Sequence, residues 1–268
     1  MELSLKGKTS VLTCGESALG HAAALAFANE GCNLAVCCQS REKAELLSAA
    51  LAAANCENLV ACVDIRDSLE MDRFADMVLE KFGAIDIWVN NAEMSLPCKL
   101  MDITFNEYDT VFDSNLRSLF FASQSAMRRM INKKIAGVII NLSSYSALVP
   151  TFGHGLYAAS KAGVNSLTRS FAAMCAPHGI RVIALAPEEA ILEAGKKETN
   201  EGSDMERRLA QIPLRRLCSV EEVVAPLVFL TSDKCSYITG SCVEISGGKL
   251  CVQNPLSAWP EGQPEYAG

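Results

Sequence analysis

Three polar side chains in one short stretch have the chemistry to move a proton. Tyr157 and Lys161 are four residues apart in a helical pattern, so they share one helix face, and Ser144 ends an apolar run upstream. A nearby ammonium favours the phenolate and lowers a tyrosine pKa that is otherwise about 10. Ser144 could orient the oxygen of a carbonyl or alcohol that Tyr157 protonates or deprotonates. The spacing therefore predicts an acid-base unit.

The segments around these residues alternate between strand and helix patterns. Strand patterns cover 8–14, 33–38, 59–63, 85–90, the run starting at 138, 180–185 and 242–245. Helix patterns cover 18–31, 41–55, 68–82, 106–132, 157–175 and 220–230. This alternation predicts an α/β fold, a single-domain Rossmann-type, doubly wound parallel sheet with helices on both faces.

The chain is predicted to form one domain over residues 1–248, followed by an irregular extension over 249–268. The polar segment at about 187–212 follows a strand's carboxyl end and is predicted to be a lid over a ligand site. The extension contains Pro255, Pro260 and Pro264 and has no periodicity.

Composition narrows the classes of partner. The net charge of −7 and the absence of a basic run argue against a nucleic-acid partner and favour a small-molecule substrate. No apolar segment resembles a signal peptide or reaches membrane-spanning length, so we expect a cytoplasmic protein without a membrane partner. The 12 cysteines lack metal-site spacing, and no metal is predicted.

The Ser144 position and the motif Tyr157-Ala-Ala-Ser-Lys161 resemble the short-chain dehydrogenase/reductase family, and the resemblance covers roughly residues 5–248. It implies that Tyr157 donates or accepts the proton and that Ser144 orients the substrate oxygen. It also implies that Lys161 lowers the tyrosine pKa and holds the nicotinamide ribose. Asn115, in the family's Asn-x-x-Gly position, would hold a water of the proton relay. The family resemblance further implies a homo-oligomer, a tetramer or dimer.

The turn over residues 13–20 resembles the family's phosphate-binding Thr-Gly-x-x-x-Gly-x-Gly motif. Cys14 and Ala18 replace its first two glycines, Gly15 gives flexibility one position late, and Glu16 adds a negative charge beside the expected anion. The alternative is a turn kept only for helix packing. The implied cofactor-binding residues of the turn are Cys14, Gly15, Ser17, Leu19 and Gly20.

At the end of the second strand, the family places an acid for NAD or basic residues for NADP. Here the sequence reads Cys38-Gln39-Ser40-Arg41. Because no acid is present and Ser40 with Arg41 could hold a 2′-phosphate, NADP(H) is favoured over NAD(H). The alternative for Arg41 is a solvated residue of the first helical turn. Asp64 and Ile65 match the family's adenine-binding pair; the alternative is a helix cap.

The remaining cofactor contacts that the resemblance implies are Asn91, Ala92, Pro187 and Ala190, together with Tyr157 and Lys161. Several family glycines near the expected nicotinamide are replaced, by Glu93, Glu188 and Ser118, and Leu192 replaces a threonine. Glu93, His154 and Glu188 are the candidate substrate contacts; the alternative for His154 is a residue of the loop before Tyr157 without such a contact.

Two functions fit this pattern. The first is an NADP(H)-preferring oxidoreductase that interconverts a carbonyl and a secondary alcohol, with a hydrophobic substrate suggested by the apolar residues Met94, Leu96, Leu100 and Met101. The second is a cofactor-independent isomerase, dehydratase or cyclase that recruits Glu93 or Glu188 as an additional acid or base. A non-catalytic family member is the third alternative.

Overall fold

The protein is described by a computed structural model that covers residues 2–97, 99–149, 153–188, 206 and 209–251. Seven strands form one sheet: β1 Thr9–Leu12, β2 Asn33–Cys38, β3 Asn58–Cys62, β4 Ile87–Asn90, β5 Val138–Leu142, β6 Arg181–Pro187 and β7 Cys242–Ile245. The principal helices are α1 Ala18–Asn29, α2 Arg41–Ala53, α3 Ser68–Phe82, α4 Phe105–Phe112, α5 Ser118–Lys133, α6 Gly155–Cys175 and α7 Val220–Thr231.

The sheet is entirely parallel, with the strand order β3-β2-β1-β4-β5-β6-β7. The order reverses between β1 and β4, and ligands of such sheets bind beyond the carboxyl ends of the strands at that point. This architecture confirms the predicted doubly wound parallel sheet and places the candidate site beside the end of β1.

Two apolar layers cover the sheet because the buried side chains of each strand alternate between its faces. Leu12 of β1 packs with Phe27 of α1 and Leu47 of α2, and α7 completes this layer. Val11 packs on the opposite face with Phe74 of α3, where α5 and α6 complete the second layer. Helices on both faces fix the strand ends rigidly, and those ends carry the candidate site.

A chain of buried polar side chains crosses the second layer. The Trp88 indole N–H donates to Oδ1 of Asn90 at 2.9 Å, and Nδ2 of Asn90 donates to Oδ1 of Asn141 at 2.8 Å. Nδ2 of Asn141 then donates to Oγ1 of Thr168 on α6 at 2.9 Å. Since buried polar groups are costly unless they are hydrogen-bonded, the chain ties β4, β5 and α6 together.

The helical stretch predicted over 106–132 is divided in the structure. A π-helical segment, Asp113–Arg117, joins α4 to α5 and contains the buried Asn115. Such π-bulges interrupt the α-helical ladder and are frequent at functional sites. The interruption turns the side chain of Asn115 into the site rather than along the helix surface.

Most of the predicted lid and extension lies outside the described residues. In the described part of the lid, β6 continues to Pro187, and the backbone N–H of Glu188 donates to the carbonyl of Ile245 at 2.8 Å. The described part of the extension ends at Cys251. The predicted lid and irregular tail therefore remain predictions.

Candidate active site

A cleft of about 480 Å³ opens at the carboxyl ends of the strands. Its lining joins the predicted catalytic and cofactor-binding sets. It comprises Cys14, Glu16, Ser17, Ala18, Leu19, Gln39, Lys43, Asn91, Glu93, Ser143, Ser144, Tyr157, Pro187 and Glu188. The structure therefore brings together residues from the β1–α1 turn, the segment after β4, the end of β5 and the start of α6.

The turn between β1 and α1 is held by side-chain hydrogen bonds. Ser17 caps α1 by accepting from the N–H of Gly20 at 2.9 Å. Nδ2 of Asn91 donates to the carbonyl of Cys14 and to Oγ of Ser17, both at 3.0 Å. Asn91 thus acts from the neighbouring strand end as a brace for the phosphate-binding turn.

The small residues of this turn serve different purposes. Cys14 itself adopts the left-handed conformation, with φ of 52°, whereas we expected the flexibility at Gly15. Gly15 is needed for space instead, because a Cβ there would lie 2.2 Å from Cγ1 of Val36. At Gly20 a Cβ would lie 2.3 Å from the carbonyl oxygen of Cys14. Burial raises the pKa of the Cys14 thiol to about 12, so this residue adds no charge to the turn.

The turn fits a pyrophosphate. The first backbone N–H groups of a helix lack acceptors within the helix and favour anions. Ser17 accepts from Gly20, whereas Ala18 and Leu19 lie at the start of α1 and also line the cleft. Their N–H groups could hold a phosphate, as the resemblance implies. The adjacent Glu16 carboxylate opposes this binding electrostatically.

The end of β2 differs in detail from our prediction. Ser40 caps α2 by accepting from the N–H of Lys43 at 3.3 Å, and Arg41 is exposed. Gln39 and Lys43 line the cleft, whereas Ser40 and Arg41 are not in its lining. Lys43, which the sequence analysis missed, is therefore the basic residue of this part of the cleft. Its signal was its place in the first helical turn after the expected phosphate-binding position.

Glu16 reaches from the turn to the same strand end. Its Oε1 accepts from the N–H of Gln39 at 3.2 Å. Its Oε2 is buried and has no hydrogen-bond partner among the described residues. A buried carboxylate oxygen without a donor is costly, so this atom is available to a donor that enters the cleft.

Asp64 and Ile65 follow β3 as predicted, but Asp64 already has a partner. Arg66 donates to it from the backbone N–H at 3.0 Å, from Nε at 2.9 Å and from Nη2 at 2.8 Å. The Arg66 side chain holds the pKa of the Asp64 carboxyl below its usual range. Ile65 is buried. The adenine-binding role of this pair remains a prediction.

Tyr157 and Lys161 are both buried at the start of α6. The ammonium of Lys161 is wholly inaccessible and donates to the carbonyls of Leu142 at 2.9 Å and Ala92 at 3.4 Å. Its Nζ lies 5.8 Å from the ring centre of Tyr157. Burial lowers the pKa of Lys161, while the nearby Glu93 carboxylate acts in the opposite direction. A positive charge therefore lies beneath the phenol ring, as the helical spacing predicts.

Glu93 contacts the candidate acid directly. The Tyr157 hydroxyl donates to Oε1 of Glu93 at 2.6 Å. Tyr157 is 1 % exposed, whereas Glu93 is an exposed residue on the cleft wall. The geometry thus places a carboxylate on the phenol oxygen, where the family pattern has a glycine.

Ser144 is buried at the end of β5 and lines the same cleft as Tyr157. Its Oγ accepts from the N–H of Ser146 at 3.1 Å, which fixes the side chain as the cap of a short helical turn. The hydroxyl hydrogen can still be donated to a ligand oxygen. Ser143, which we did not predict, lines the cleft beside it.

Asn115 is buried behind this group. Its Oδ1 accepts from the N–H of Met94 at 2.7 Å, and its Nδ2 donates to the carbonyl of Met94 at 2.9 Å and to Oγ of Ser160 at 3.0 Å. Both side-chain N–H donors are used in these bonds. Asn115 therefore positions the segment that carries Glu93, and its predicted role as a water-holding relay residue stays a prediction.

Glu188 forms an ion pair that the sequence analysis missed. Lys249 donates to Oε1 of Glu188 at 2.8 Å, and its Nζ lies 4.7 Å above the ring of Tyr145. The other oxygen, Oε2 of Glu188, is buried without a partner among the described residues. Lys249 follows two glycines with positive φ, which let the chain turn back towards β6.

Of the other predicted positions, Pro187 lines the cleft, and His154 lies with its Nδ1 3.2 Å from Oγ of Ser95. Ser118 is buried at the start of α5 and donates to the carbonyl of Ser114. Ala190 and Leu192 lie outside the described residues. Ala92 contributes its carbonyl to Lys161.

The described residues contain no grouping of three His, Cys, Asp or Glu side chains suited to a metal ion. Nor does this part of the chain contain a helix long and apolar enough to cross a membrane.

The chain is similar to known proteins over most of its length. A family model described as Enoyl-(Acyl carrier protein) reductase matches residues 14–249. The chain is 35% identical over 242 residues to 3-oxoacyl-[acyl-carrier-protein] reductase FabG of Staphylococcus aureus, covering 90% of this chain and 97% of the relative. It is also 35% identical over 247 residues to 3beta-hydroxysteroid dehydrogenase 1 of Eggerthella lenta, covering 91% and 94% of the two chains.

Among solved structures, a putative short-chain alcohol dehydrogenase from Sinorhizobium meliloti superposes with a TM-score of 0.87 at 30% identity. The match covers 94% of this chain and 99% of that one. A short-chain type dehydrogenase/reductase from Mycobacterium marinum gives a TM-score of 0.86 at 28% identity, with coverage of 94% and 98%.

Proposed function

Because the chain belongs to the short-chain dehydrogenase/reductase family of NAD(P)-dependent oxidoreductases, we propose that it is an NADP(H)-preferring enzyme that interconverts a carbonyl and a secondary alcohol on a hydrophobic small molecule. The observation that carries the proposal is that predicted catalytic residues and predicted cofactor-binding residues line one cleft. The hydroxyls of Tyr157 and Ser144 share it with the anion-binding turn that ends at the start of α1.

The residues of this chain perform the proton half of the reaction. The Tyr157 O–H gives its proton to the carbonyl oxygen in reduction and takes it back in oxidation. Ser144 donates a hydrogen bond to the same oxygen and so orients it. The buried ammonium of Lys161 stabilises the phenolate form of Tyr157.

The cofactor supplies or accepts a hydride when it is bound. The start of α1 would hold its pyrophosphate, and Lys161 would hold its nicotinamide ribose, as the family resemblance implies. Lys43 supports the preference for NADP(H), since its ammonium lines the cleft near Gln39 and no acid ends β2. This assigns the 2′-phosphate to the cleft wall formed by the first turn of α2.

A hydrophobic substrate is supported by exposed apolar residues after β4. Leu100 and Met101 are 66% and 94% exposed, and Met94 lies next to Glu93 at the cleft. The two relatives carry the names of a 3-oxoacyl reductase and a 3β-hydroxysteroid dehydrogenase, which denote a ketone and a secondary alcohol on apolar skeletons. The substrate proposed here shares with both an apolar skeleton that carries a ketone or a secondary alcohol.

The proposed enzyme is a cytoplasmic homo-oligomer. Support for self-association comes from an apolar groove of about 470 Å³ on α5 and α6, away from the cleft. Its apolar lining includes Phe112, Leu116, Phe120, Phe121 and Leu167. Light scattering of the purified protein should give a dimer or tetramer, and an Arg in place of Phe121 should shift the mass to the monomer.

The function is tested by Tyr157→Phe. We expect this variant to lose carbonyl reduction by at least 100-fold while its dissociation constant for NADPH, measured by calorimetry, stays within about twofold, because the hydroxyl moves a proton but Lys161 and the turn bind the cofactor. Full activity of Tyr157→Phe would refute the assignment.

The Glu93 contact favours a second candidate. A carboxylate on the Tyr157 hydroxyl provides two acid-base groups that could catalyse isomerisation, dehydration or cyclisation without a cofactor. Calorimetric titration separates the candidates, since micromolar NADPH binding supports the oxidoreductase. Absence of NADPH and NADP⁺ binding at millimolar concentration would support the second candidate.

A further inference from the structure

We propose that Glu93 is a proton-relay residue, which connects the buried hydroxyl of Tyr157 with solvent during the reaction proposed above. The proposal rests on the proposed oxidoreductase function and adds a residue to its mechanism. In this family pattern a glycine stands at the position, so the relay is a property of this chain's own sequence.

The contact between Tyr157 and Glu93 has a geometry that suits proton transfer. Tyr157 is 1 % exposed, so its side chain has little direct contact with bulk water. Its hydroxyl lies 2.6 Å from Oε1 of Glu93, a distance typical of a strong hydrogen bond to a carboxylate. Glu93 is exposed on the cleft wall, and a carboxylate in that position exchanges protons with water. The two residues therefore join a buried proton to solvent in one step.

The charged groups next to Tyr157, Lys161 and Glu93, also favour a relay. Lys161 is wholly buried, and within the described residues no carboxylate forms an ion pair with it. Its ammonium bonds only to the backbone carbonyls of Ala92 and Leu142 in this part of the chain. Glu93 is the carboxylate whose charge most favours the protonated form of Lys161. The Tyr157 side chain thus contacts Glu93 through its hydroxyl and Lys161 through its ring.

The backbone on both sides of Glu93 is held by hydrogen bonds. Asn115 bonds both the N–H and the carbonyl of Met94, the residue that follows Glu93. On the other side, the carbonyl of Ala92 accepts from Lys161. Both neighbours of Glu93 are therefore fixed, and its carboxylate is directed at Tyr157 by a supported segment rather than by a free loop.

Each proton that moves in the reaction has a named donor and a named acceptor. In reduction the Tyr157 O–H bond breaks, and the proton forms the O–H bond of the alcohol as the carbonyl carbon accepts the hydride of the reduced nicotinamide cofactor. The Tyr157 phenolate then takes a proton from the carboxyl of Glu93, which has obtained it from water. Alcohol oxidation runs these transfers in reverse, and Glu93 releases the proton to water.

Other titratable groups also surround Tyr157. Lys161 lies beneath its ring, Cys14 and Glu16 extend from the turn after β1, and Glu188 lies at the end of β6. The test must therefore isolate Glu93 from these neighbours. Glu93→Gln removes the exchangeable proton and the charge but keeps the size of the side chain and an acceptor oxygen.

The first readout needs no cofactor. Ultraviolet absorbance titration follows tyrosinate formation, and subtracting the Tyr157→Phe curve removes the other four of the five tyrosines. We expect Tyr157 to ionise at lower pH in Glu93→Gln than in the wild type, because the adjacent negative charge is gone. Glu80→Gln, which removes an exposed carboxylate of α3, is the matched control and should leave the titration unchanged.

The second readout uses turnover. We expect Glu93→Gln to lower kcat by about 100-fold while the dissociation constant for NADPH stays within about twofold. In Glu93→Ala, where the side chain leaves space, added formate should restore kcat in a concentration-dependent manner. A structural role for Glu93 would not produce rescue by a small acid.

The outcomes decide separately on the relay and on the function. An unchanged tyrosinate titration together with unchanged kcat in Glu93→Gln overturns the relay, as does a failure of formate to rescue Glu93→Ala. If the wild type has no redox turnover although Glu93→Gln shifts the tyrosinate titration, the proposed function is wrong and only the electrostatic contact between the two residues stands.

Discussion

Asn115 grips the backbone of Met94 with both ends of its side-chain amide, through bonds of 2.7 Å to the N–H and 2.9 Å to the carbonyl. A backbone segment after a strand is held here in the way that a neighbouring strand would hold it. Asn115 can form these bonds because it lies in the π-helical segment, which directs its side chain towards the strand ends. The residue thus connects a helix irregularity with the position of Glu93.

Asn115→Ala should weaken both the fold and the site. The variant leaves two backbone groups of Met94 without their partners, which costs about 1–3 kcal/mol for each group that remains buried. Urea denaturation should show the loss of stability, and kcat should fall because Glu93 is less well placed. Ser160→Ala is the control, since it keeps both bonds to Met94 and removes the third bond of the Asn115 amide, together with the bond from Oγ of Ser160 to the carbonyl of Tyr157. A variant of Asn115 as stable as the wild type would contradict the clamp.

Cys14 carries backbone strain that a glycine would relieve. A side chain at φ of 52° costs about 1–2 kcal/mol relative to glycine. We therefore expect Cys14→Gly to be more stable than Cys14→Ala by about 1 kcal/mol in urea denaturation. Comparing the two variants cancels the loss of the thiol, because both lack it. Equal stability of the two would show that the turn does not hold this residue in the left-handed conformation.

Cofactor preference should respond to Glu16 and Lys43 in opposite directions. Lys43→Ala should weaken NADPH binding about fivefold, equivalent to about 1 kcal/mol, and leave NADH binding within twofold. Glu16→Gln should strengthen NADPH binding, because a negative charge leaves the phosphate-binding region. Calorimetry of each variant with NADPH and with NADH measures the four dissociation constants.

Arg41→Ala tests the original assignment of the 2′-phosphate. Since Arg41 is exposed and Lys43 lines the cleft, we expect the Lys43 variant to show the larger effect on NADPH binding. A larger effect at Arg41 would return the phosphate to the position predicted from the sequence, and no effect at either residue would contradict the preference for NADP(H).

Lys161 should make stability depend on alkaline pH. Burial lowers its pKa below the usual value of 10.5, so the unfolded state binds more protons than the folded state between the lowered pKa and 10.5. Stability that Lys161 costs at lower pH is therefore regained as pH rises through this range. Relative to Lys161→Met, the wild type should gain unfolding free energy as the pH rises from the lowered pKa of Lys161 towards 10.5. A constant difference across that range in urea denaturation would contradict this prediction.

The sequence was sufficient to predict the fold and the placing of Ser144 and Tyr157 in one cleft. Strand and helix periods alternate cleanly, and the i, i+4 spacing of Tyr157 and Lys161 places them on one helix face whatever surrounds them. Three of the elements, β2, α3 and β7, begin and end where the patterns predict. Such features depend on neighbours within a few residues, which a sequence displays directly.

Other features depend on contacts between distant segments, which the sequence does not display. Lys249 reaches Glu188 from 61 residues away, and Glu93 reaches Tyr157 from 64 residues away. That Lys43 lines the cleft and Arg41 does not likewise depends on how α2 packs against the rest of the chain. The π-helical segment likewise has no local signal, because its residues would also fit an ordinary helix.

The buried chain from Trp88 to Thr168 has a consequence for how the sheet assembles. Asn90 and Asn141 are paired in register, whereas the pairs before them, such as Val89 with Ile140, are alike enough to tolerate a shift. A slip by one residue would turn one amide to the opposite face and break the hydrogen bond between Asn90 and Asn141. The apolar residues supply most of the attraction between β4 and β5, and the two asparagines select the single alignment that brings Glu93, Ser144 and Tyr157 to the same level.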